Sequence, residues 1–251
     1  RQPVDVSNIV MSIKCGGSDT TSGMASNCVI GYVADKLVDL GATVIFGETT
    51  EFIGGEHLLA RRGVNKEVGD KIFEIVNNME TRAKSLGCDM RKGQPTPGNI
   101  EGGLSSIEEK SLGAIMKSGT KPIQGVLEYP ERVTNQKGLW IKDTPGREPE
   151  ILTGMAATGA QCMMFSTGRG APQGFPSMPV IKICGNPNTY TRMEQDMDIN
   201  AGLILTGDKT IEQVGEEAFA RLLDTLSGKM TKNEAIQYCT SIDIHCLGPV
   251  I

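Results

Sequence analysis

The stretch Asn8-Ile-Val-Met-Ser-Ile-Lys-Cys-Gly-Gly-Ser-Asp-Thr-Thr-Ser-Gly23 runs from a short apolar segment straight into a glycine-rich turn. Its first part, Asn8 to Ile13, reads as a buried strand, and the turn after it is where chemistry would sit. Further out, Ile30, Val33, Ala34 and Leu37 recur at helical spacing, and Gly41 closes the pattern. Ala42-Thr-Val-Ile-Phe46 then reads as a second strand. Strand, helix, strand at this length is a βαβ unit, so the chain is expected to build an α/β fold.

The rest of the sequence continues the alternation. Glu56 to Leu86 is patterned as a helix with Val68, Ile72, Ile75, Val76 and Met79 on one face, and Lys92 to Gly103 reads as a Gly/Pro/Asn loop. Ser105 with Glu108, or Ser106 with Glu109, fits a capping box opening a helix toward Gly119. Strands are expected at Ile123–Tyr129, Leu139–Ile141, Cys162–Phe165, Val180–Cys184 and Ala201–Leu205, with helices near Ile151–Ala160 and Thr189–Asp196. Thr210 with Gln213 and Thr231 with Glu234 announce two final helices, the first striped by Ile211, Val214, Ala218 and Leu222. The pattern implies a largely parallel, Rossmann-like sheet flanked by helices across residues 1–251, with a candidate sub-boundary near 120–145. Four polar, glycine-rich loops follow strands: Cys15 to Gly23, Gly47 to Gly55, Ser166 to Gly174 and Gly185 to Thr189. Ligands of open parallel sheets bind outside the carboxyl ends of strands, so these loops are expected to gather into one site.

Composition narrows the function. With 39% apolar residues the chain can bury a large core, and a net charge of −5 with no basic stripe argues against nucleic acid as a partner. No run approaches the roughly 20 apolar residues of a membrane span, and the start has no signal-peptide layout, so a cytoplasmic protein is expected. Seven cysteines without CxxC spacing point to reduced thiols rather than a disulfide framework or structural zinc. The absence of an initial Met and the almost immediate entry into a strand suggest a fragment of a longer protein.

Four segments carry candidate chemistry. Lys14 to Gly23 lies between a strand and a helix N-terminus, where the Gly16, Gly17 and Ser18 amides with Asp19 could receive a carboxylate or phosphate; a tight turn capped by Ser18 or Asp19 is the plainer alternative. Cys15, beside Lys14, could be a thiolate ligand of lowered pKa or an inert buried thiol. Gly47-Glu-Thr-Thr-Glu-Phe-Ile-Gly-Gly-Glu-His57 sets Glu48, Glu51 and Glu56 beside one of only two histidines, a group suited to a metal or to proton transfer, or simply a solvated acidic loop. Phe165-Ser-Thr-Gly-Arg-Gly170 offers the Arg169 guanidinium for a carboxylate, or is a surface turn with an ordinary arginine; Pro97 to Lys110 joins a flexible loop to a helix start, with Lys110 as a base, a clamp or an ordinary surface lysine.

Taken in order, Lys14-Cys-Gly-Gly-Ser-Asp19, Gly47-Glu-Thr with Gly55-Glu-His57, Gly98-Asn with Gly102-Gly-Leu and Glu109-Lys-Ser-Leu-Gly113, Asp143-Thr-Pro-Gly146, Ser166-Thr-Gly-Arg-Gly170 and Met197-Asp-Ile-Asn200 resemble the altronate/galactarate dehydratase family over nearly the whole chain. A sister branch, the large subunit of sulfolactate sulfo-lyase, is similar at Ile13 to Gly23 and at Val180-Ile-Lys-Ile-Cys-Gly-Asn-Pro187. The resemblance implies a hydro-lyase that dehydrates an altronate- or galactarate-type sugar acid to a 2-keto-3-deoxy acid. The alternatives are the C–S lyase of the sister branch and a non-catalytic small-anion-binding subunit.

It further implies a divalent metal, Fe²⁺ before Mn²⁺, with Cys15, Glu48, Glu56 and His57 as candidate ligands. Lys110, Glu48 and His57 are the candidate catalytic residues. Gly16, Gly17, Ser18, Asp19, Arg169 and Asn186 are the candidate substrate-binding residues. An N-terminal domain or small subunit outside this chain, a small sugar-acid substrate and a homo-oligomeric assembly complete the expectation; neither nucleic acid nor membrane enters it.

Overall fold

The computed structural model describes residues 2–239 and 241–247. Seven parallel strands form one sheet: β1 (Val10–Cys15), β2 (Thr43–Phe46), β3 (Ile123–Leu127), β4 (Gly138–Lys142), β5 (Cys162–Thr167), β6 (Val180–Cys184) and β7 (Ile199–Asn200), in the order β3-β4-β2-β1-β5-β6-β7. The helices are α1 (Asn27–Asp39), α2 (Glu56–Ala60), α3 (Lys66–Ser85), α4 (Met90–Gly93), α5 (Pro97–Glu101), α6 (Ile107–Ile115), α7 (Glu148–Thr158), α8 (Pro187–Arg192), α9 (Ile211–Leu226) and α10 (Lys232–Ala235). The α/β, parallel-sheet expectation therefore holds.

From β1 the chain first builds outward through β2, β4 and β3, then returns to the other side of β1 and builds β5, β6 and β7. The reversal places a crevice at the carboxyl ends of β1 and β5, the switch point at which open α/β sheets take their ligands. Register decides what meets there: Lys14 lies opposite Phe165, which lies opposite Lys182 on the next strand, and Cys15 lies opposite Ser166.

Strand alternation divides the core between the two sheet faces. Met11, Ile13, Val44, Phe46, Met164, Ile181 and Ile183 join the larger cluster with α1, α3 and α9. Ile45, Met163, Phe165 and Val180 face the smaller cluster, which is packed by Ile151, Leu152 and Met155 of α7. Because the side-chain period is two, Lys14, Lys142 and Lys182 fall on the α7 face, and each is buried.

Several boundaries differ from the sequence pattern. The long Glu56–Leu86 pattern is two helices, because the Asn65 side chain accepts from the Val68 amide and starts α3 afresh. The Lys92–Gly103 loop contains α5 and the end of α4, and α5 is opened by a Thr96–Asn99 capping box. Of the two cap readings, Ser106 with Glu109 holds: the Ser106 hydroxyl accepts from the Glu109 amide, while the Glu109 carboxylate reaches one residue further back and accepts from Ser105 rather than Ser105 pairing with Glu108. The expected last strand at Ala201–Leu205 is a 3₁₀ turn; strand pairing is confined to Ile199–Asn200, and the Asn200 side chain accepts from the Gly202 amide and ends it. The final two capping boxes, at Thr210 and Thr231, form as their spacing indicated.

Candidate functional site

The crevice at the switch point is a cleft of about 530 Å³ lined by Lys14 to Ser18, Glu48, Glu51, Thr96, Gly98, Asn99, Lys110, Gly146, Glu148, Arg169 and Gly170. Its floor is a buried ionic cluster. Lys14 Nζ donates to Glu48 Oε1 at 2.8 Å, and the Cys15 amide donates to Glu48 Oε2 at 2.8 Å. Lys117 Nζ, fully buried, donates to Glu48 Oε2, to Glu51 Oε2 at 2.9 Å and to Cys15 Sγ at 3.0 Å. The Cys15 thiol donates to Glu51 Oε2 at 2.8 Å.

The protonation of this cluster follows from burial and charge. Burial alone would raise the Glu51 pKa, but Lys117, Lys110, Lys14 and the Cys15 thiol outweigh it and hold the carboxyl down at about 2. Burial opposes the charge on Lys117, yet Cys15 Sγ and the Glu48 and Glu51 carboxylates keep it protonated, with its pKa well above the ordinary lysine value. Cys15 moves opposite to a helix-terminus thiolate: burial and then Glu51 push its pKa well above the usual thiol value. It is a neutral donor to Glu51, so the lowered pKa considered from its sequence neighbours does not arise.

Glu48 reaches the cluster from an unusual backbone. It stands two residues past the end of β2, is 1% exposed, and adopts φ 70°, ψ 60°, a left-handed conformation rare outside glycine. The Thr144 hydroxyl accepts from its amide at 2.8 Å and holds it there. The fixed carboxylate bridges the loops after β1 and β2.

The glycine-rich loop is pinned rather than open. Gly16 donates its amide to Ser166 at 3.0 Å and is therefore engaged, whereas among the described residues the Gly17 and Ser18 amides have no acceptor. A Cβ on Gly16 would stand 2.9 Å from the Phe165 ring, so the absence of a side chain is what lets loop and ring approach. Asp19 fastens its own loop and ties it to a second: its carboxylate accepts from the Thr21 hydroxyl, the Ser22 amide and, at 3.2 Å, Asn186 Nδ2. Asn186 in turn caps α8 and does not line the cleft.

Arg169 lines the cleft mouth, with its guanidinium on exposed Glu101 at 2.9 Å. Lys110 turns inward, donating to Gln94 at 2.8 Å and standing 3.9 Å from Glu51 Oε1. His57 sits exposed on α2, and Glu56, with a buried Oε2 lacking a partner, lies on the same helix; neither belongs to the Cys15, Glu48 and Glu51 group.

That group is the one metal-capable set among the described residues, its three ligand atoms lying within 4.8 Å of one another. A thiol with two carboxylates is reasonable chemistry for ferrous or manganous ion. As arranged, however, the Lys117 ammonium donates to all three atoms and holds the position a divalent ion would take. The set does not fit such an ion unless Lys117 moves.

Lys117, Glu148 and Lys182 were not singled out from sequence. Lys182 did carry a signal: a lone lysine inside Val-Ile-Lys-Ile-Cys, in a strand of a parallel sheet covered on both faces, has nowhere to go but the interior. Lys117 carried none, because it follows an amphipathic helix in a turn of ordinary composition.

The model of the family described as D-galactarate/altronate dehydratase, C-terminal, matches residues 6–245. The chain is 41% identical over 240 residues to the (2R)-sulfolactate sulfo-lyase subunit beta of Chromohalobacter salexigens, covering 94% of this chain and 61% of that one. It is 42% identical over 229 residues to galactarate dehydratase (L-threo-forming) of Escherichia coli, covering 91% and 43% respectively. To altronate dehydratase of Bacillus subtilis it is 34% identical over 234 residues, covering 93% and 46%. The chain thus spans between 43% and 61% of the length of these relatives. With nearly its whole length matched, the chain belongs to the D-galactarate/altronate dehydratase C-terminal family.

Proposed function

We propose that this chain provides the anion-binding and proton-transfer part of a lyase that removes water from an altronate- or galactarate-type sugar acid, yielding a 2-keto-3-deoxy acid. The observation that carries the reading is the switch-point cleft, where two unengaged amides, an exchangeable guanidinium and an inward-facing lysine surround fixed carboxylates. The substrate carboxylate would dock on the Gly17 and Ser18 amides and on Arg169. The Arg169–Glu101 pair is easily given up, since the two side chains are 38% and 77% exposed. Lys110 would balance the negative charge that builds up as the α-proton leaves, and would give its proton to the departing β-hydroxyl. An adjoining pocket of about 270 Å³, which shares Ser18 and Lys110 with the cleft, offers room for the far end of the sugar chain.

The divalent ion of the family resemblance would supply Lewis-acid stabilisation of the same charge. In this chain Cys15, Glu48 and Glu51 would hold it only after displacing Lys117. The likeness to a sulfolactate sulfo-lyase subunit supports a second reading, in which the same α-proton abstraction expels sulfite instead of water.

The test is an anaerobic assay of the full-length protein, with Fe²⁺ or Mn²⁺ supplied, offering altronate, galactarate and sulfolactate and scoring 2-keto acid and sulfite. A 2-keto-3-deoxy acid supports the dehydratase, sulfite from sulfolactate moves the chain to the second reading, and no product from any of them refutes both. In the active protein, Arg169→Ala should raise KM about tenfold or more with an unchanged unfolding midpoint; wild-type kinetics would remove Arg169 from the site.

A further inference from the structure

Two side chains of opposite charge at the cleft have a buried atom that lacks a hydrogen bond among the described residues. Glu148, the first residue of α7, lines the cleft, and its Oε1 is buried without a hydrogen bond among the described residues. Lys182, fully buried in β6 behind the cleft wall, has no hydrogen-bond partner for Nζ among the described residues. The register that sets Lys14, Phe165 and Lys182 in one row leaves the Phe165 ring between two lysines, with Nζ of Lys182 3.4 Å and Nζ of Lys14 5.2 Å from its centroid. Lys14 is satisfied by Glu48, whereas among the described residues Lys182 has the Phe165 ring but neither a hydrogen bond nor an ion pair.

The charged groups acting on Lys182 are Glu148 from α7, Lys14 from β1 and Asp198 from the turn before β7. Asp198 is already occupied: Arg221 and the Lys232 amide donate to Oδ1, and the Lys182 amide donates to Oδ2. Lys14 repels. Glu148 is the carboxylate left to answer Lys182, and its field reaches Lys14 as well.

On the lyase reading above, we propose that Glu148 is the carboxylate that takes the α-proton, and that Lys182, the buried cation without a hydrogen bond in the strand behind the cleft, is a positioning residue that acts through Glu148. Glu148 forms an O–H bond as the substrate Cα–H bond breaks, and the C–H electron pair moves into the carboxylate to give the enediolate. That pair then forms the Cα=Cβ bond as the Cβ–O bond breaks, and the hydroxyl leaves as water with a proton from Lys110. The enol product becomes the 2-keto acid, and solvent takes the proton from Glu148 and restores that of Lys110. Burial and the like charge of Lys14 outweigh Glu148 and Asp198 and bring the Lys182 pKa to about 7, so Lys182 changes charge within the working range.

The experiment compares kcat and KM across pH for the full-length wild type, Glu148→Gln, Lys182→Met and Lys182→Arg, with the same three acids. Glu148→Gln should lose kcat on the order of 100-fold or more with KM little changed. Lys182→Met, a neutral chain of similar length that places no charge in the core, should erase the wild-type inflection near neutral pH. Lys182→Arg, permanently charged, should hold the acid-side rate across the same range. A Glu148→Gln variant within roughly threefold of wild type, or an unmoved inflection in Lys182→Met, overturns the proposal while leaving the lyase intact. A wild type inactive toward all three acids overturns the lyase reading and the role of Glu148 together.

Discussion

Glu51 is a carboxylate removed from water and kept charged by three ammonium groups, and this places an acid limit on the fold. Its folded pKa of about 2 lies below the ordinary 4.5, so its contribution is present above 4.5 and is lost as pH falls toward 2. A shift of that size is worth about 3 kcal/mol. Urea unfolding of the wild type should weaken through this window, and Glu51→Gln should flatten the dependence. Lys117→Met takes the shared ammonium from two buried carboxylates and should cost about 3–5 kcal/mol by the same measurement. Lys182 has the opposite sign. Its pKa falls from 10.5 to about 7 on folding, so the unfolded chain binds more protons and stability rises with pH between these values. Lys182→Met should therefore raise the unfolding midpoint at neutral pH, as expected where a buried amine is kept for function; a lower midpoint would mean that the Phe165 contact outweighs the desolvation. The identities of these residues were plain in the sequence, but their meeting was not, since Cys15 and Lys117 stand 102 positions apart.

At the scale of elements, the turn that carries Lys117 is seated by a glycine on a neighbouring helix. A Cβ on Gly31 of α1 would lie 2.3 Å from the Met116 carbonyl and 3.1 Å from the Gly119 amide. Gly31→Ala must push the 116–119 turn outward and should cost about 1–3 kcal/mol as overpacking. It should also depress turnover, because Lys117 moves with the turn; a lowered thermal midpoint with intact kinetics would show that the turn and the ionic cluster are independent. The helix and strand kinds were legible where period and cap agreed, as in α1, α9 and β6. They were missed where a local side chain intervened: Asn65 restarting a helix, Asn200 ending a strand. Such caps act over two or three residues and leave no trace in an averaged apolar pattern.

Across the molecule, the sheet is the rigid frame and the cleft wall between residues 89 and 101 is its light side, since α4 buries no residue and α5 buries Asn99. Hydrogen exchange on the full-length protein should be slowest in β1 and β5, buried along nearly their whole length, and fastest across α4 and α5. A bound sugar acid should slow exchange at Gly98 and Asn99, which line the cleft, and unchanged exchange there would move the substrate elsewhere. Among the described residues no helix is long and apolar enough to cross a membrane. The sequence alone determined the βαβ alternation, the parallel sheet, the strand-end loops and the family, because all of these follow from periodicity, turn residues and motifs read locally. Strand order and register decided the rest, bringing Lys14, Phe165 and Lys182 into one row and closing Lys117 onto Cys15, Glu48 and Glu51. A buried charge is settled by whichever opposite charge the fold delivers to it, and that pairing is a property of the packed chain rather than of any segment.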